Sequence, residues 1–404
     1  MTRLIGYMAI LCLLATMVGC GGVTSTGTLA YISNSQGSGF TVFNVNTDGT
    51  LTLSDISPQN TPASPKVIQF APNGKWAYFL DQGGTTIYGF TRAGNGTLPT
   101  QIGQFYTGPG ASSLVIAAGS NFIYVALPNT NMLAIYSIDQ TTGILSQVGS
   151  NVVIGYAVQQ LVMSPGGNLL FGLAPSSQTV LSWTLNPSSG VATGPTTLPV
   201  GLDPSYLVLS ANGAYAYVLD HQSVTNVPAN GSTLAYSTPN IFGFNVLSSG
   251  VLDPMPDSPF NENADVNGIY PTNPVAGATS HDNRFLFVAN AGTHNVSVFQ
   301  IASTSGAQGE LTEVLGSKTT INGVPVSTAS PFDCGYTVKP VACTTPSFVT
   351  VSNANNALYI IDAGTQGSTG RIFQYQINQN TGSIRAQNPT SVSAGGGPAW
   401  ITIR

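Results

Sequence analysis

Charge is what this sequence has least of. Of 404 residues, 10 are Lys or Arg and 15 are Asp or Glu, 6% in all, against about 25% in an average soluble protein. That poverty excludes a coiled coil and a charge-driven disordered chain. No Lys or Arg occurs between Arg92 and Arg284, and the net charge is −5. Nucleic acid and anionic lipid are therefore excluded as partners. Histidine is limited to His221, His281 and His294, with no cluster for zinc, so no metal site is assigned from them. No Gly-x-Ser-x-Gly elbow occurs, and Gly108-Pro109-Gly110 lacks the strand–helix setting of a dinucleotide loop. Beyond the N-terminus no run approaches the roughly 18 apolar residues of a membrane span. What is present is 42% hydrophobic residues with 46 Gly and 26 Pro. This composition predicts an all-β body with a surface of Ser, Thr, Asn and Gln.

Residues 1–19 read as an export signal: Arg3 supplies the basic region, and Leu4 to Val18 form an apolar run too short to span. The run ends Met17-Val18-Gly19-Cys20, which resembles the bacterial lipobox. Cys20 is then the lipidated first residue of the mature chain, residues 20–27 are a small-residue tether, and residues 28–404 are the folded body. The expected location is exported and membrane-anchored, periplasmic or on the outer surface. Gly21, not being Asp, permits an outer-membrane destination. Cys12 leaves with the signal. Cys334 and Cys343 share one loop without a His, and an oxidising compartment favours a disulfide between them over a metal.

The body repeats one unit. Phe70 to Asp81 and Leu209 to Asp220 each show a short apolar strand, an Asn-Gly turn and an alternating aromatic strand. Met163 to Ala174, Thr279 to Asn290 and Val351 to Asp362 follow the same form. The second half, Phe40 to Leu51, recurs at Leu133 to Leu145 and Phe373 to Ile384. Its turn glycines are Gly49, Gly96, Gly143, Gly190, Gly250, Gly309 and Gly382, the first three intervals being 47 each. Four period-2 strands joined by tight turns cannot bury both faces alone, but copies stacked around an axis can. The expectation is a seven-bladed β-propeller of four antiparallel strands per blade. The chain enters on a second strand at Thr28 and leaves through a first strand at Pro398 to Arg404. The C-terminal strand should therefore complete blade one and close the ring.

These half-repeats, with Asp81, Asp220 and Asp362 closing second strands, resemble the lactonase-type seven-bladed propellers. That family includes bacterial 6-phosphogluconolactonase and the carboxymuconate cyclising enzymes. No Trp-Asp pair supports a WD-repeat propeller. The resemblance implies catalytic His, Glu and Arg where the innermost strands begin, often after Pro. The equivalent positions here are Lys66, Ser112, Gln159, Ser205, Val275, Ser347 and Ala399. None is His, Glu or Arg, and acid–base chemistry needs a titratable group. Lys66 and Asp203, with Asp220 and His221, are the candidate catalytic residues. A phosphorylated lactone would want several cations.

Insertions at 221–240, 253–273 and 313–345 should all emerge on the channel-mouth face. Gln159, Ser205, Ser347, Asp257, Glu262 and Asp265 are candidate binding residues. The oxygen-rich run from Asp257 to Asp265 suits Ca²⁺, but a solvated polar loop is the better reading of it, and no cofactor is expected. Trp76, Trp183 and Trp400 read as core. The leading functional expectation is a lipid-anchored binding or scaffold module for a glycan, a peptide or an envelope protein at the long-loop face. The alternative is a lactonase-type hydrolase with a rearranged site.

Overall fold

The computed structural model describes residues 27–221, 240–262, 270–314, 318–321, 324–327, 332–333, 343–364 and 369–404. Apolar and β-branched residues alternate in runs of about six, and glycines or asparagines at the turns accept positive φ. Strands therefore form and reverse locally. Among the described residues they assemble seven four-stranded antiparallel sheets, with a separate hairpin, Lys318–Ile321 with Val324–Ser327, between the sixth and seventh. Helical structure among them is limited to two 3-10 turns, Pro128–Thr130 and Pro175–Ser177. The sheets are the predicted blades, and Pro398–Ile403 pairs antiparallel with Thr28–Asn34 to complete the first.

The core is a ring of inter-blade clusters. Leu29, Tyr31 and Phe40 of blade one pack on Ile68, Phe70 and Phe79 of blade two, and equivalent clusters follow around the disc. Hydrogen bonds add specificity to this packing. The second-strand tyrosine of one blade donates its hydroxyl to the turn-glycine carbonyl of the next. The pairs are Tyr31–Gly96 at 2.6 Å, Tyr78–Gly143 at 2.6 Å, Tyr124–Gly190 at 2.9 Å, Tyr217–Gly309 at 2.7 Å and Tyr359–Gly49 at 2.6 Å. Phe171 and Phe287 hold the equivalent places in blades four and six. The glycine is required twice over. Gly143 has φ +75°, and a Cβ on it would lie 2.6 Å from the Trp76 ring of the preceding blade.

Outer strands depart from the simple repeat. In blade one the outer edge is split into Leu51–Leu53 and Gln59–Asn60, and in blade five into Leu252–Pro254 and Phe260–Asn261. A Ser-Pro step lies in each gap, and the serine hydroxyl replaces a ladder carbonyl. Val42 N–H donates to Ser57 Oγ at 3.0 Å, and Gly243 N–H to Ser258 Oγ at 2.9 Å. No described helix is long and apolar enough to cross a membrane.

Candidate active site at the channel mouth

Each inner strand runs the same way along the axis, so their first residues ring one end of the channel. There Lys66, Ser112, Gln159 and Ser205, from blades two to five, line a chamber of about 280 Å³. The expected positions in the other blades, Val275, Ser347 and Ala399, are not among its lining. Ser347 is exposed, with its hydroxyl 3.4 Å from the Ile361 carbonyl. Gln69, Ser113, Gln160, Tyr206 and Trp400 also line the chamber, and no sequence pattern had marked them for it. Trp400 corrects its assignment to the core. It is half-buried on the channel wall, tilted at 40° against the Phe348 ring with centroids 4.4 Å apart, with its indole N–H 2.9 Å from Thr402 Oγ1. The closing strand lies on the axis, so its large residue packs against the clusters of the neighbouring blades and also faces the channel.

Several lining groups also bond across seams. Ser112 donates to the Val158 carbonyl at 3.1 Å and Ser205 to the Pro274 carbonyl at 2.6 Å. The Gln160 amide clamps the Leu207 N–H and carbonyl at 2.8 and 2.9 Å. Their donors are spent on the neighbouring blade, so the hydroxyls offer lone pairs to a ligand. Among the described residues Lys66 is the lone charge in the lining. Burial pulls its ammonium below the ordinary lysine range, and the Asp81 carboxylate pushes back less strongly. Its Nζ lies 3.5 Å from the Ala111 carbonyl. Burial raises the Tyr206 phenol, which stays protonated and able to donate.

The remaining candidates are arranged elsewhere. His221 Nδ1 and Asp203 Oδ2 pair at 3.2 Å, with side chains 29% and 49% exposed, but neither lines the chamber. Asp220 is fully buried, and its carboxylate accepts the backbone N–H groups of Leu202 at 2.8 Å and Asp203 at 3.1 Å. Asp362 does the same for Thr344 and Thr345, at 2.7 and 3.1 Å. These aspartates fasten the turn that leads into the inner strand, which places Asp220 away from proton transfer.

Glu262 is not in a solvated loop. It is 1% exposed, accepting from the Asn290 amide at 3.0 Å and from the Ser297 hydroxyl. The local reason is that blade six ends its second strand in Asn290, an amide donor, where blades two, five and seven have Asp; the carboxylate comes from the loop instead. Asp257 is exposed, and Asp265 lies outside the described residues. Among the described residues no three His, Cys, Asp or Glu side chains group to hold a metal ion. Cys343 is 4% exposed in the core cluster shared by blades six, seven and one. Cys334, Cys20 and the signal segment lie outside the described residues.

A ring of seven lactonase-like blades with its cavity at the inner-strand starts defines a class. The sequence profile of the lactonase seven-bladed β-propeller family matches residues 95–190 and 168–327, more than half of the chain, and the protein belongs to that family. In structure it is similar to a candidate 6-phosphogluconolactonase of Bacteroides uniformis, at 14% identity over 94% of this chain and 99% of that one, TM-score 0.67. It is also similar to the periplasmic gluconolactonase of Pseudomonas aeruginosa, at 17% identity over 93% and 98%, TM-score 0.67. No curated protein matches the sequence.

Proposed function

We propose that the mouth chamber binds an uncharged lactone and opens it by hydrolysis. The observation that carries this reading is Lys66, an amine with its proton affinity lowered by burial, as the lone charge of a small chamber in a lactonase-family propeller. Neutral Lys66 Nζ takes a proton from water as the water oxygen bonds to the lactone carbonyl carbon. The tetrahedral oxyanion accepts a hydrogen bond from the Tyr206 phenol. The bond from that carbon to the ring oxygen then breaks, the ring oxygen takes the proton back from Lys66, and a hydroxy acid leaves. A single cation favours an unphosphorylated substrate.

The test is hydrolysis of matched phosphorylated and unphosphorylated lactones in a pH-stat. A positioned base typically contributes 10²- to 10⁴-fold, so Lys66→Ala should lower kcat by about that factor. The rate should rise with pH and level off below the ordinary lysine value of 10.5, because a base works deprotonated and burial has lowered its titration. Absence of turnover, or turnover untouched by Lys66→Ala, rejects the reading. One observation favours a binding or scaffold role for a glycan, peptide or envelope protein instead: among the described residues no carboxylate or imidazole lines the chamber. The same assay decides between the two.

The proposal includes export, a lipid on Cys20 and a Cys334–Cys343 disulfide. The intact mass of the membrane-extracted protein should start at Cys20 with an added diacylglyceryl group. It should rise by two hydrogens on reduction; an unprocessed or unlipidated mass contradicts it.

A further inference from the structure

The channel continues past Tyr206 and Trp400. At the other ends of the inner strands Val162, Met163, Leu209, Ala278 and Thr279 line a second chamber of about 340 Å³. All five are half-buried: Val162, Met163, Leu209 and Ala278 pack in part on inter-blade clusters and present the rest of their surface to this space. The two chambers have Gln69, Val115, Gln160, Leu161, Tyr206 and Trp400 in common, so they adjoin, with Tyr206 and Trp400 among the residues at their boundary. Side chains change from one to the other. Lys66, Ser112, Gln159 and Ser205 stand at the mouth, whereas Val162, Met163, Leu209 and Ala278 stand at the far end. From the level of Ser205 to that of Leu209 a strand rises roughly 13 Å. A small hydrophilic lactone would fill only the mouth and leave the aliphatic far end in water.

We propose that the ligand is amphiphilic: a lactone bearing an unbranched aliphatic chain, its ring beside Lys66 and its chain threaded between Tyr206 and Trp400 into the far chamber. The ring assignment rests on the proposed lactone hydrolysis. The chain assignment rests on the second chamber alone. Two aromatic side chains at the boundary suit an extended hydrocarbon, and each methylene moved from water onto aliphatic wall strengthens binding about fourfold.

The experiment is calorimetric titration of the intact protein with N-acylated α-amino-γ-butyrolactones, from acetyl to dodecanoyl, with ring opening followed in parallel. Kd should fall about fourfold per methylene until the far chamber is full. Ala278→Phe should bring that plateau to a shorter chain while leaving the acetyl compound unchanged. Met163→Trp, from blade four, should do the same, so the test stands if one variant folds poorly. A Kd independent of chain length, or an equal loss for short and long chains in a folded variant, overturns the proposal. Chain-dependent binding without ring opening rejects hydrolysis and keeps the amphiphile. Ring opening without chain dependence keeps hydrolysis and rejects the amphiphile. Binding of none of the compounds rejects both.

Discussion

Glu262 carries a buried carboxyl with no Lys or Arg acting on it among the described residues. Among the described residues its Oε1 has no hydrogen-bond partner, nor does the neighbouring Asn290 Oδ1. Burial raises its pKa to about 7; the Ser297 and Asn290 hydrogen bonds pull it down, and Glu313 pushes it up further. The ordinary value is 4.5, so between these two pH values the folded chain holds a proton that the unfolded chain has released. The resulting stability is fully present below about pH 4.5, falls as pH rises and is lost above about pH 7. A tenfold difference in proton affinity between the folded and unfolded chains is worth about 1.4 kcal/mol, so the swing is on the order of a few kcal/mol. Glu262→Gln keeps the shape and cannot ionise. The wild-type melting temperature should therefore fall between pH 5 and pH 8 by roughly ten degrees or less, with the variant's profile flat across that window. Parallel profiles for the two proteins would show that Glu262 does not titrate there.

At the level of the strand and its turns, the repeat was legible because its causes are local. A third-to-fourth-strand turn at φ near +80° demands glycine, and seven such glycines mark seven blades. The alternation of each second strand marked its buried face for the same reason. The tyrosine-to-glycine clasps were not legible, since Tyr31 and Gly96 are 65 positions apart and only the angle between blades brings them together. The site was half legible. The step after each inner-strand proline located Lys66 and Ser205, and the strand starts gave Ser112 and Gln159. Which blades contribute to the chamber depends on the tilt of each blade toward the axis, so Val275, Ser347 and Ala399 were expected but fall outside it, whereas Tyr206 and Trp400 enter it. Asp220 and His221 were adjacent in sequence and both polar. The structure gives them different surroundings: Asp220 ends its strand as a buried clamp on the turn, and His221, one step beyond the strand, is a rim partner of Asp203.

Closing the ring leaves no unmatched edge at its junction, so the stability of the disc depends on the last strand as much as on any core residue. Pro398–Ile403 is held by the ladder to Thr28–Asn34, and Leu29 and Arg404 exchange two backbone bonds of 2.7 Å. It also reaches both neighbouring blades. Thr402 Oγ1 donates to the Ile68 carbonyl at 3.0 Å, and the Arg404 guanidinium to the Ala71 carbonyl at 2.8 Å, both in blade two. Trp400 packs at a tilt against Phe348 of blade seven, and Ile401 is 3% exposed. Each ladder bond contributes about 1 kcal/mol net and Ile401 about 2 kcal/mol. Together these approach the roughly 5–15 kcal/mol that a whole domain commands. A chain ending at Gly397 should therefore lose cooperative melting at 25 °C, or associate through the bared edge of Thr28–Asn34, as circular dichroism and size-exclusion chromatography would read. A synthetic peptide of residues 398–404 added in trans should restore the melt, because the missing strand makes its contacts through pairing and packing and needs no covalent link. A truncated chain that melts like the full one would mean that the seam between blades one and seven holds without its closing strand.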